Sequence, residues 1–322
     1  MLTGSVQAVL SRDQKKGETI SDKLGKRHES DWVPIYYQKS GEGLRSVLLP
    51  RSDKILEEGQ AVSLADVVYV AAGGELNWED GEKALLAEAS GAQGELIAEG
   101  GASRYFSELS IADRTVQAVV PLTGKGVERG FVFLDRIFPV KGVGTVALGF
   151  SMTEVAVHDK LVALPQEKEV EVKSIQVLDE DQEKAGLGVR VGLALRNVSA
   201  DELQGVYALA KDPSTFSLAI PIEVHKFKWV ASLPERVHAI SGGVRVTASL
   251  GSELKVDGPF PKSGRAILID VNAKPKTPRV LGYVDLKGRT IPWTLAEDGF
   301  TSRITPGFWL PAPPFGPWAV AW

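Results

Sequence analysis

The sequence predicts an α/β region followed by all-β structure, and three observations carry that reading. Up to about residue 115, short apolar segments alternate with helix-like ones. Beyond Phe131 the hydrophobic period drops to two, the signature of half-buried strands. At 322 residues the chain has room for two or three domains, each large enough to bury a core.

In the α/β region, Ser5–Leu10, Val33–Tyr37, Ser46–Leu49, Asp66–Ala71 and Glu95–Ala98 read as strands. They are short, rich in Val, Ile, Leu or Tyr, and bounded by Gly, Pro or Asp. Asp53–Leu64 and Glu79–Ala89 have helical composition, with Glu79-Asp80 where the helix dipole favours carboxylates. Asp66-Val-Val-Tyr-Val-Ala-Ala lacks polar alternation, which predicts a central strand buried on both faces. The order predicts a doubly wound sheet with helices on its faces.

In the β region, Val189, Val191, Leu193 and Leu195 face one way, and Arg190, Gly192, Ala194 and Arg196 the other. With glycine-rich turns such as Lys141-Gly-Val-Gly144, this predicts an antiparallel barrel. A second β-rich section runs from Ser214 to about Gly299, with strands expected near Phe216–His225, Gly243–Ser249, Ala266–Val271 and Arg279–Val284. The final stretch, Pro306–Trp322, holds three of the seven tryptophans and five of the eighteen prolines. Disordered tails are poor in aromatics, so this segment is expected to lie against its own chain or a protein partner.

Composition excludes several functions. A hydrophobic content of 43%, a charged content of 24% and a net charge of -4 describe an ordinary globular protein without a chain-wide nucleic-acid footprint, leaving room for a local basic patch. The absence of cysteine rules out disulfides and thiolate metal sites. His28, His158, His225 and His238 are scattered, and His28-Glu29 has Trp32 where a zinc-protease helix needs its second histidine. No metal and no cofactor is expected. No Gly-x-Ser-x-Gly elbow occurs, and the carboxylate runs Glu57-Glu58 and Asp179-Glu180-Asp181 read as solvated faces. The apolar run Val6–Leu10 precedes its charges, Arg12, Asp13, Lys15 and Lys16, the reverse of a secretory signal. No run approaches the ~20 apolar residues that span a bilayer. A cytoplasmic protein without membrane contact is the expectation.

The most specific segment reads Phe131-Val-Phe-Leu-Asp-Arg-Ile-Phe-Pro-Val-Lys-Gly-Val-Gly-Thr-Val-Ala-Leu-Gly149, then Asp159-Lys-Leu-Val-Ala-Leu-Pro165. Val170-Glu-Val-Lys-Ser-Ile-Gln-Val177 follows, and then Gly188-Val-Arg-Val-Gly-Leu-Ala-Leu-Arg-Asn-Val-Ser-Ala-Asp-Glu-Leu203. This resembles the second domain of elongation factor Tu, most closely that of the selenocysteine-specific factor. Weaker landmarks extend the resemblance. Leu24-Gly-Lys-Arg-His-Glu-Ser-Asp31 is similar to a segment of archaeal paralogues with degraded phosphate loops, and Thr123-Gly-Lys-Gly-Val127 resembles the last loop of a translation GTPase domain. The resemblance implies a reduced, degenerate GTPase-like α/β domain at 1–130 and an elongation-factor barrel at 131–211. A third-domain-like β-domain at 212–300 and a Pro/Trp-rich tail at 301–322 follow.

The GTPase motifs are missing. A phosphate loop needs Gly-Lys-Ser/Thr, whose lysine reaches the outer phosphates and whose hydroxyl holds magnesium. Here the first strand leads into Leu10-Ser-Arg-Asp-Gln-Lys-Lys-Gly-Glu-Thr-Ile-Ser21. Gly25-Lys26 and Gly124-Lys125 are followed by Arg and Gly. Leu49-Pro-Arg-Ser-Asp53 stands where the family has Asp-x-x-Gly. Glu99-Gly-Gly-Ala-Ser-Arg104 stands where it has the guanine-reading Asn-Lys-x-Asp. No catalytic residue is assigned, and the chain is read as a non-enzyme.

In the family the barrel helps hold the aminoacyl end of a charged tRNA. Carried over position by position, the resemblance implies Asp135, Arg136, Phe138 and Val140 from one strand, Leu148 from the next, then Gln176, Arg190 and Ala194. Two departures from the family, Leu148 for a threonine and Arg190 for an asparagine, change what the pocket accepts. An aromatic face, an aliphatic wall and Gln176 suit an unstacked base, and Arg190 suits a phosphate or carboxylate. The leading reading is a translation-factor paralogue binding tRNA or the ribosome. The alternatives are a protein-interaction scaffold and an elongation factor with residual GTP binding. A half-exposed Phe138 beside an accessible Arg190 favours RNA; a buried Phe138, or an Arg190 locked in an internal ion pair, favours the scaffold.

Overall fold

The computed structural model describes residues 1–28, 30–98, 106–110, 128–274 and 277–288. The segments 99–105 and 111–127 and the Pro/Trp-rich tail lie outside the described residues. The first sheet has the order β2-β3-β4-β1-β5-β6. Its strands are β1 (Thr3–Ser11), β2 (Lys26–His28), β3 (Ile35–Ser40), β4 (Gly43–Leu48), β5 (Val67–Ala72) and β6 (Gln93–Ala98). β1 runs parallel to β4 and β5, and β5 parallel to β6, while the β2-β3-β4 edge is antiparallel.

Three helices, α1 (Gln14–Leu24), α2 (Ile55–Leu64) and α3 (Trp78–Ser90), cover this sheet on both faces. Period two sorts its side chains. Val9, Tyr36, Val47 and Tyr69 meet Ile20 and Leu24 of α1, whereas Ala8, Leu10, Val68 and Val70 join the core of α2 and α3. The expected helices are present. α3 starts at an Asn77 capping box completed by Asp80 and ends at Gly91, which adopts φ 70°. Helix α1 was not foreseen.

One expectation fails here. Glu58 is fully buried on α2, 2.7 Å from the equally buried Lys83 of α3, whose Nζ also donates to Ser52 O at 2.9 Å. Glu57-Glu58 is therefore only half a solvated face: α2 turns Glu58 inward, where the lysine compensates its charge. Burial, opposed by Lys83, pushes the Glu58 carboxyl up to about 7.

The second sheet contains β7 (Phe131–Val140), β8 (Gly144–Ser151), β10 (Lys160–Leu164), β11 (Lys168–Val177), β12 (Glu180–Gln182), β14 (Arg190–Arg196) and β15 (Ala208–Ala210). Its order is β10-β15-β7-β8-β14-β11-β12, and the pairing of β10 with β11 closes it into a barrel. The short β9 (Val155–Ala156) and β13 (Lys184–Ala185) pair beside it. Phe131 to Leu134 are all buried, and a bulge between Leu134 and Arg136 then re-aims the end of β7. A second closed barrel, β16-β19-β18-β17-β20-β21, follows. It comprises β16 (Phe216–Lys226), β17 (Arg236–Ser241), β18 (Val244–Leu250), β19 (Glu253–Pro261), β20 (Ser263–Ile269) and β21 (Val280–Lys287).

The three bodies are joined through backbone as well as side chains. Gly4 N donates to Leu187 O at 2.7 Å and Gly186 N to Leu2 O at 2.8 Å. A Cβ on Gly4 would lie 2.1 Å from Gly188 O, so this approach requires glycine. Trp32 enters the first barrel between Phe133 and Phe150, with ring centroids 5.6 and 6.5 Å away. The second barrel meets α2 at Gly59, against Ile240 and Ile269, and through Gln60 Nε2, which donates to Gly243 O at 2.7 Å. Among the described residues no helix is long and apolar enough to cross a membrane.

Candidate nucleic-acid interface

Where a phosphate loop would stand, only Arg12 and Asp13 separate β1 from α1. The Asp13 carboxylate accepts from Lys15 N at 3.0 Å and Lys16 N at 3.2 Å. The amides that a helix start offers to an anion are thus taken by the chain's own anion, which also repels a phosphate. Arg12 donates to Glu75 O at 3.0 Å and lies 3.3 Å from Asp80; Lys16 Nζ donates to Ala72 O at 3.2 Å. Arg12 and Lys16 thus point into protein contacts, while Lys15 is exposed. The Glu99–Arg104 stretch lies outside the described residues.

The barrel presents a different picture. Phe138, Val140, Leu148, Gln176, Arg190 and Ala194 line one cavity of about 520 Å³, together with His28 and Tyr37 from β2 and β3 of the first sheet. Strand register explains the convergence. Leu148 opposes Gly192 on β14, and Gly192 opposes Gln176 on β11. Gly192 leaves the floor open between them, its missing Cβ position lying 3.3 Å from a Leu148 methyl. Phe138 is half-buried, and the Arg136 guanidinium lies 4.7 Å from its ring centroid. Gln176 is exposed and donates from Nε2 to Asp181 at 2.9 Å.

Asp135 and Arg136 do not line this cavity; they face a neighbouring one beside Ala200–Val206. Arg136 pairs with Asp31 of the first region at 2.5 Å. Asp135 has the more consequential position. Arg190 donates from Nε and Nη2 to the Asp135 carboxylate at 2.8–3.0 Å, and the side chains are 15% and 1% exposed. The Tyr37 hydroxyl borders the same guanidinium. Burial pushes the Asp135 carboxyl up, against the pull of Arg190. The bidentate partner foreseen for Arg190 therefore exists, and it is the protein's own carboxylate. Arg190 is locked in the internal ion pair that favours the scaffold reading, and it is not available to clamp a phosphate. Tyr37 and His28, edge-to-face at 5.0 Å, were missed as pocket residues because they come from another sheet, and no spacing along the chain signals it.

The architecture is shared with solved structures. The translation elongation factor SelB of Methanococcus maripaludis, in complex with the GTP analogue GppNHp, superimposes with a TM-score of 0.69, covering 88% of this chain and 80% of that one. The fold is that of a selenocysteine-specific elongation factor. A bacterial selenocysteine-specific elongation factor gives the same TM-score over 88% of this chain and 58% of its own. At 17% and 16% identity these likenesses concern the fold. No family model matches. In sequence, an uncharacterized protein of Methanocaldococcus jannaschii is 28% identical over 228 residues, 65% of this chain and 74% of that protein. The selenocysteine-specific elongation factor of the same organism is 45% identical over 71 residues, 22% of this chain and 15% of the factor. Elongation factor 1-alpha of Picrophilus torridus is 33% identical over 85 residues, 26% and 20% of the respective chains. The elongation-factor resemblance thus rests on two short sequence matches and a fold-wide structural one.

Proposed function

We propose that this elongation-factor-like chain is a non-hydrolysing binding protein that holds the end of an RNA, with tRNA or the ribosome as its partner in the cytoplasm. Its parts are taken as 1–130, 131–211, 212–300 and 301–322. The observation that carries the reading is the cavity shared by the first sheet and the barrel, where an aromatic ring, an aliphatic wall and an amide converge. Its lining is weakly anionic, because Asp135 cancels Arg190 and Asp179 adds a carboxylate. It therefore suits an unpaired base more than a phosphate: Phe138 offers a stacking face, Val140 and Leu148 the opposing wall, and the Gln176 carbonyl an acceptor. The Asp13 cap supports the second half of the proposal, since a γ-phosphate has no free amide cradle at α1.

The test is equilibrium binding of the full chain to total tRNA from its own cells, followed by the Phe138→Ala variant. Losing one base stack costs about 1–3 kcal/mol, so affinity should fall by roughly tenfold or more. The melting temperature should barely change, since the ring is half-exposed. RNA binding that ignores Phe138 would refute the pocket. The scaffold reading has its own support in the internally paired Arg190, which removes the phosphate contact. It requires that no RNA copurifies while a protein partner does. Residual GTP binding is the third reading and is tested by calorimetry below.

A further inference from the structure

The outer face of the second barrel carries a constellation unconnected with the pocket. Glu223 and His225 are two residues apart on β16 and project from one face of the strand. Asp285 on β21 is the direct antiparallel partner of Glu223. His225 Nε2 lies 3.0 Å from Asp285 Oδ2 and 3.7 Å from Glu223 Oε1, and one donor atom from each residue falls within a span of 4.8 Å. Tetrahedral zinc, with bonds of about 2.0–2.2 Å, sets its ligand atoms roughly 3.3 Å apart, so only small side-chain rotations are needed.

The surroundings single out these three atoms. Asp285 turns its other oxygen, Oδ1, toward Arg265 Nε at 3.5 Å, and Glu223 turns Oε2 toward Lys287 Nζ at 3.2 Å. Each carboxylate is held from behind by a cation, with the remaining oxygen aimed at the imidazole. The imidazole is stacked on Tyr283, with centroids 4.7 Å apart and planes 23° from parallel, and Arg265 lies 3.7 Å from the same ring. Outer partners that orient ligands in this way are a recurring feature of protein metal sites. All three ligands stand on strands and are partly exposed, so the donors are ordered and an ion has access.

We propose that Glu223, His225 and Asp285 bind a divalent transition metal of the zinc class through one nitrogen and two oxygens, leaving a coordination position open to water. Imidazole in the set favours such ions over magnesium and calcium, which take oxygen ligands.

The test is calorimetric titration of Zn²⁺ into the metal-stripped full chain, alone and with excess Mg²⁺. Visible absorption of the Co²⁺-loaded chain provides a second readout. One equivalent should bind with a micromolar dissociation constant, unaffected by Mg²⁺. His225→Ala and Asp285→Asn should each weaken it by about 10–100-fold, and His158→Ala should leave it unchanged. Absence of zinc binding below millimolar concentration would overturn the proposal. So would His225 and Asp285 variants that bind like the parent, or loss of binding in His158→Ala, which would place the ion elsewhere.

Discussion

Removing the Asp135 carboxylate with Asp135→Ala tests how the barrel pocket is built. Asp135 is 1% exposed and takes hydrogen bonds from Nε and Nη2 of Arg190, itself 15% exposed. Truncation removes the carboxylate that accepts all three of these hydrogen bonds from Arg190. Breaking a buried pair from one side costs about 3–5 kcal/mol. Arg190 also borders the cavity, where water can partly solvate it, so about 2–3 kcal/mol is expected here. Urea unfolding followed by circular dichroism should show an earlier midpoint at unchanged slope. Adding Arg190→Met to the same chain should recover most of the loss, because an apolar replacement of a buried pair is often neutral. A single variant costing less than about 0.5 kcal/mol, or a double variant no better than the single, would refute the account. Asp135→Asn supplies the functional counterpart. It unmasks one cation in the pocket, so RNA binding should tighten at low salt and its salt slope should steepen by about 0.7–0.9. An unchanged slope would mean that no phosphate comes near Arg190.

Calorimetry with GTP and GDP should show no binding tighter than about 10 μM, close to -7 kcal/mol, because Asp13 occupies the amides at the start of α1. Gly4→Ala would press a methyl to 2.1 Å from Gly188 O, so the junction must open. Hydrogen exchange at Gly4 and Gly186 should accelerate, with a cost of at least about 1–3 kcal/mol, whereas Gly81→Ala, in open space on α3, should stabilise by about 0.5–1 kcal/mol. Burial pushes the folded Glu58 carboxyl up to about 7, from an ordinary 4.5. Its folded state holds the proton more tightly, so its contribution is fullest below pH 4.5 and is lost as pH rises through about 7. Stability should therefore decline between pH 5 and 8, and Glu58→Gln should flatten that decline.

Much of the fold was legible because its signals are local. The run from Asp66 without polar alternation became interior strand β5, and the alternation from Val189 to Arg196 gave β14 its inner and outer faces. Helix α1 escaped because its inward face, Gly17, Ile20, Ser21 and Leu24, holds only two large apolar residues; the capping Asp13 was its readable mark. Strand β19 escaped because Gly258, Pro259 and Pro261 argue against a strand by composition. β17 is short and interrupted by His238. At the pocket, alternation placed Arg190 and Ala194 on the outer face, but the partner of Arg190 lies 55 residues away on a bulged strand. Glu58 shows the same limit, since its inward turn depends on Lys83 arriving from a second helix. The zinc-class triad was invisible for a related reason: Glu-x-His on β16 acquires meaning only when β21 brings Asp285 across.

The glycine junction between β1 and the first barrel has a mechanical consequence. Side chains can swap rotamers and let two surfaces slide, but Gly4 and Gly188 meet backbone to backbone, with main-chain hydrogen bonds on either side. Such a seam has few intermediate positions: it is closed or it is torn. A groove whose walls belong to the two sides of that seam, Tyr37 on one and Phe138 on the other, is already shaped before anything enters it. Little ordering entropy is then left to lose on association. Encounter should follow simple second-order kinetics at any concentration of partner, without the plateau that a slow opening step would impose.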